Sequence, residues 1–130
     1  MRTIKFRAQD IASNKWLFGD IRHHKNDVCL FEQGGNKGEQ VKPETVGQFT
    51  GLTDKDSKEI YEGDVIRINL TDGSTTISSV VWNRRGYCGY WGCDIDINHG
   101  VQLGLIDKVR IEVIGNIHDN PELLEEGGKK

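Results

Sequence analysis

With 130 residues, 35 % of them apolar and 16 glycines, the chain has room for one hydrophobic domain and a composition unlike that of disordered proteins. Its 17 basic and 20 acidic residues leave a net charge of −3, which argues against attraction of the whole molecule to nucleic acid or anionic lipid. Three cysteines cannot all pair, no stretch approaches the roughly 20 apolar residues of a membrane span, and Met1 to Arg7 is charged where a secretory leader is apolar; a soluble protein of a reducing cytoplasm is expected.

Two-residue alternation dominates the chain, and helical periodicity is nearly absent. Ile4, Phe6 and Ala8 alternate with Lys5 and Arg7, which predicts a strand with one buried face. Trp16 to Ile21 and Val28 to Phe31 read as two further strands, punctuated by Asn14 and by Asn26-Asp27. Gln33 to Lys42 is polar and holds three glycines, so it reads as a mobile loop. Thr45 to Leu52 and Glu59 to Leu70 flank the polar stretch Thr53 to Lys58, the pattern of a hairpin turn. Thr71-Asp72-Gly73-Ser74 is a second turn, followed by a strand over Thr76 to Trp82.

Tyr87 to Ile97 and Val109 to Ile114 complete the β set. In the second of these, Val109, Ile111 and Val113 face opposite to Arg110 and Glu112. Val101 to Ile106 fits either a strand or a short helical turn. Asn120-Pro121-Glu122 supplies an N-cap residue, a first-turn proline and an acid, which predicts a helical turn held by Leu123 and Leu124. The architecture expected is therefore mainly β: a single domain over 1–130 with a β meander at about 1–58. A small SH3-like partial barrel at about 59–118, a short C-terminal helical turn and a frayed tail at 127–130 complete it.

Candidate chemistry is sparse. Cys88, Cys93 and His99 lie close in sequence, but four residues separate the two cysteines, there is no second cysteine pair, and His23-His24 would straddle a strand; no metal or other cofactor is expected. Asp94-Ile95-Asp96-Ile97-Asn98 opens like a calcium loop, yet His99 and Leu105 stand where such a loop needs glycine and glutamate. No serine nucleophile elbow and no phosphate-cradling glycine loop is present, so catalysis is not expected, and a metal-dependent enzyme is the weakest alternative. The most suggestive surface is Arg84, Arg85, Tyr87, Tyr90 and Trp91, two arginines beside three aromatics on a glycine-rich β turn. These residue types suit a protein interface. They also suit base stacking beside phosphates in a small barrel, which is the alternative reading, and the acidic net charge disfavours it. The same side chains could equally fill a core while the arginines stay solvated.

Three segments carry a more specific signal. They are Ile4-Lys5-Phe6-Arg7-Ala8; Gln48-Phe49-Thr50-Gly51-Leu52-Thr53-Asp54-Lys55 with Lys58-Glu59-Ile60-Tyr61-Glu62-Gly63-Asp64-Val65-Ile66; and Glu112-Val113-Ile114-Gly115-Asn116-Ile117-His118-Asp119-Asn120-Pro121-Glu122-Leu123-Leu124. Together they resemble the YopX family of small bacteriophage and prophage proteins over nearly the whole chain. The family commonly has an aromatic residue where Gln9 stands, a glycine near Ser57 and a tyrosine at His118, which read as surface or turn exchanges. The resemblance implies a multi-sheet β fold, a bacterial cytoplasmic setting and assembly into a homo-oligomer, and it supplies no catalytic residues. The function expected is that of a non-enzymatic phage or prophage accessory protein. It would act through self-assembly and contacts with a phage or host protein. The recognisable residues have structural explanations: Gly51 and Gly63 for turns, Ile60 and Tyr61 for packing, Asp64, Asn116 and Asn120 for bonds to nearby backbone.

Overall fold

The computed structural model describes residues 4–32, 37–85, 88–93, 101–103 and 106–124, and the side chains among these except at 24, 83–85, 88–93, 101 and 102. The chain divides into two compact units, residues 1–51 and 52–130. The described residues are mainly β, and every register given below is antiparallel.

In the first unit, β1 (Phe6–Gln9), β2 (Trp16–His24), β3 (Asp27–Glu32), β4 (Gly38–Val41) and the start of β5 (Gly47–Thr53) form a sheet of order β4-β3-β2-β1-β5. Lys25 takes a φ of 56° in the tight β2–β3 turn, the sign that lets a two-residue hairpin follow the twist of its strands. Ala8, Val28, Leu30 and Val41 are the buried core, with Leu17, Ile21 and Val46 packed against them. Burial of β1 is not one-sided, as its alternation predicts: Ile4 is 63 % exposed, whereas Arg7 and Gln9 are buried with Ala8. Gln9 therefore does not mark a surface exchange; its backbone N–H donates to Thr45 Oγ1 at 2.9 Å.

The expected loop at Gln33 to Lys42 is corrected at its second half, which forms β4, while residues 33–36 lie outside the described residues. Val28 pairs with Val41, Cys29 with Gln40, Leu30 with Glu39 and Phe31 with Gly38. One inserted valine anchors a strand whose other residues are polar or glycine, so hydrophobic alternation gives no signal there. The free side of β4 is partly closed by the Asp10–Val41 bridge and by N–H donation from Ile11 to the Gln40 carbonyl and from Lys42 to the Gln9 carbonyl. Pro43–Thr45 then makes one 3-10 turn before β5.

In the second unit, β6 (Glu59–Tyr61) leads into β7 (Asp64–Asn69), β8 (Thr75–Arg85), β9 (Cys88–Cys93), β10 (Val101–Gln102) and β11 (Ile111–Asn116). The last five form a sheet of order β10-β9-β8-β7-β11. Ile60, Ile66, Ile68, Val80, Leu103 and Ile111 are its core, with Leu52, Ile106 and Val113 against them. The expected run from Glu59 to Leu70 is broken at Glu62-Gly63 into β6 and β7. On β7 Ile66 and Ile68 alternate with exposed Arg67 and Asn69 as expected, whereas Leu70 lies past the strand end and is 39 % exposed. Ile60 and Tyr61 are buried.

Val109 departs from its predicted face. Asp107 Oδ1 accepts from the Val109 N–H at 3.2 Å, and Lys108–Arg110 becomes a 3-10 turn that leaves Val109 61 % exposed. The strand starts two residues later than the hydrophobic pattern suggests because a capping aspartate ends the approach. Beyond β11, residues 122–124 are helical, as the Asn-Pro-Glu signal predicts. No helix among the described residues is long and apolar enough to cross a membrane.

Candidate interaction surface

Of the residues singled out in the sequence, Arg84 and Arg85 end β8, and Tyr90 and Trp91 lie in β9. The register sets Trp91 opposite Trp82, Tyr90 opposite Asn83, Arg84 opposite Gly89 and Arg85 opposite Cys88. The side chains of Arg84, Arg85, Tyr90 and Trp91, and all of Tyr87, lie outside the described residues. Trp82 beside them is 46 % exposed.

Cys88 and Cys93 stand at the two ends of β9. An extended strand places such positions about 17 Å apart. The side chains of Cys88 and Cys93, and all of His99, lie outside the described residues.

A better-defined surface occurs where sequence reading sees only ordinary strands. Residues opposite one another in an antiparallel ladder share a face, and the face alternates along each strand. Arg7 is paired with Phe18, Asp20 with Phe31 and Arg22 with Cys29, so these side chains all lie on the sheet face opposite Ala8, Leu17, Ile21 and Leu30. Three cation–ring contacts order that face. Arg7 lies over Trp16 at 4.9 Å, Lys5 over Phe49 at 5.1 Å and Arg22 over Phe31 at 4.6 Å.

Close packing fixes the outermost of these contacts. A Cβ on Gly38 would come within 2.5 Å of Phe31 Cζ, so the ring rests directly on the glycine of β4. Phe31 is thereby held on one strand neighbour and carries Arg22 from the other. Among the described residues Arg22 has no ion pair, and Arg22 and Asp20 are both exposed. Phe18, two positions before Asp20, is 47 % exposed. Phe18, Asp20 and Arg22 thus present an apolar group, an anion and a cation in a row along β2, spaced about 7 Å apart. The feature is invisible in sequence because its order comes from pairing partners on β1, β3 and β4.

The recognisable segments, by contrast, serve backbone geometry. Asp54 is 1 % exposed. Its Oδ1 accepts the N–H groups of Asp56 and Lys58, and its Oδ2 that of Val113, each at 2.9 Å. Burial pushes its carboxyl pKa up, but the three N–H donors and nearby Lys58 outweigh burial and leave it below the ordinary value. Asp64 Oδ2 accepts from the Tyr61 N–H at 2.7 Å. Asn116 Oδ1 accepts from the N–H groups of His118 and Asp119, and the Asn120 N–H donates to the Asn116 carbonyl at 2.8 Å.

The family whose description reads "YopX protein" matches residues 5–125. Among solved structures, the chain is similar to the crystal structure of protein EF1440 from Enterococcus faecalis, at 22 % identity and a TM-score of 0.55. That similarity covers 95 % of this chain and 99 % of the other, and it bears on the fold alone. Comparison with curated proteins gave no match.

Proposed function

Because the chain belongs to the YopX family, we propose that it is a non-enzymatic accessory protein of a phage or prophage. In this reading it works in the bacterial cytoplasm, by self-assembly and by contacts with other proteins. The supporting observation is the face built on β2. Phe18 is an exposed aromatic anchor, and Arg22, which has no ion pair among the described residues, is a guanidinium stacked on Phe31, whose ring rests on Gly38. Aromatic and arginine side chains held rigid before binding are what protein interfaces use as energetic anchors.

The charge order favours a protein over a nucleic acid. Asp20 stands between Phe18 and Arg22, where a strand of phosphates would meet a carboxylate. A protein partner can place a basic group there and an acidic one at Arg22.

Light scattering of the purified chain, with affinity recovery of tagged protein from phage-infected cells, tests both parts. The expected result is a mass several times that of one chain. It includes a co-purifying protein that Phe18→Ser/Arg22→Glu loses. A strict monomer at all working concentrations overturns the assembly part. Recovery only of nuclease-sensitive material overturns the protein-contact part.

A further inference from the structure

An outer strand of a sheet carries a row of backbone donors and acceptors that another chain's strand can pair with. In the second unit β11 is such a strand, bonded through β7 on one side. Its other side is closed by two turns. At the near end, the Lys55 N–H donates to the Ile111 carbonyl and the Val113 N–H donates to Asp54 Oδ2, each at 2.9 Å. At the far end, the Asn116 N–H donates to Asn120 Oδ1 at 3.4 Å and the Asn116 carbonyl accepts from the Asn120 N–H.

Between these ends the ladder shifts register at Val113 to Gly115, which bends the strand. A Cβ on Gly115 would come within 2.6 Å of Asn120 Oδ1 and 3.0 Å of Leu123 Cδ1, so the C-terminal turn seats on the glycine. The side chains that do the closing, Asp54 and Asn120, come from segments on opposite sides of β7 to β10 in the sequence, and they converge on one strand.

We infer that these two turns form an edge guard, whose task is to keep β11 from adding a strand of a second copy of this chain. The guard acts by occupying the Ile111 carbonyl, the Val113 N–H and the N–H and carbonyl of Asn116 with intramolecular partners. It is distinct from the β2 face, so assembly through that face and protection of this edge stand or fall separately.

The test compares the parent chain with Asp54→Asn/Asn120→Ala by light scattering over a roughly hundredfold concentration range. The expected outcome is a rise of at least about twofold in the variant's mass over that range, relative to the parent. Adding Val113→Pro, which removes the outward N–H, should reverse the rise. A variant with native-like circular dichroism whose mass tracks the parent's throughout overturns the inference. A second measurement needs no variant. In the parent chain, the Val113 and Asn116 amides should exchange hydrogen as slowly as amides within the β7 ladder. Exchange at the rate of open amides overturns the inference even if the variants fail to fold.

Discussion

Single residues at turns carry much of the local order of this fold, and Asp54 is the clearest case. Its carboxylate satisfies three backbone donors that would otherwise be buried or left to water. Asp54→Asn keeps the shape but turns one acceptor into a donor facing N–H groups. It should lower stability at neutral pH by about 2–3 kcal/mol, measured by urea unfolding. Because the folded carboxyl titrates below its unfolded value, its contribution is fully present above the unfolded pKa. It is lost as pH falls through the folded one. Acid titration of unfolding free energy should therefore show a steeper loss for the parent chain than for Asp54→Asn. Ser57 in the same turn holds a φ of 65°, a conformation that a side chain disfavours. Ser57→Gly should raise stability by about 1 kcal/mol, read from the urea midpoint.

At the scale of elements, β4 shows how pairing makes a strand from an unpromising segment. Its polar residues and glycine gain order by completing the ladder to β3, and Gly38 also makes room for the Phe31 ring. Gly38→Val would drive two methyl groups into that ring, displacing it and the guanidinium above it. The expected cost is about 1–3 kcal/mol, the range for overpacking, with loss of ring-current shifts at the Arg22 side-chain protons in NMR spectra. Val109 makes the complementary point. Its hydrophobic character fits the strand pattern, but the Asp107 cap places it in a turn, exposed.

For the whole molecule, each unit has its own buried cluster. In the second unit, β7 supplies Ile66 and Ile68 to a core completed by β6, β8, β11 and Leu103. Ile66 is 0 % exposed, and Ile66→Ala should lower stability by about 2–4 kcal/mol in urea unfolding, through lost transfer energy and the cavity left behind. An identical loss from Arg67→Ala would contradict this placement. Arg67 is exposed, and its 3.2 Å pair with Glu112 is of the surface kind that contributes little.

Much of the β architecture was legible because alternation and turn residues are local signals. The strands β2, β3, β7 and β8, the turns at Thr53 to Lys58 and Thr71 to Ser74, the helical turn after Pro121 and the family itself were all readable from neighbouring residues. What the tertiary structure alone decided were relations between distant positions. Asp54 meets Val113 across β6 to β10, Gly38 lies under Phe31, and Arg7, Phe18 and Arg22 come to share one face. Such partners are fixed by pairing and register between positions distant in sequence, and alternation within a strand carries no record of them.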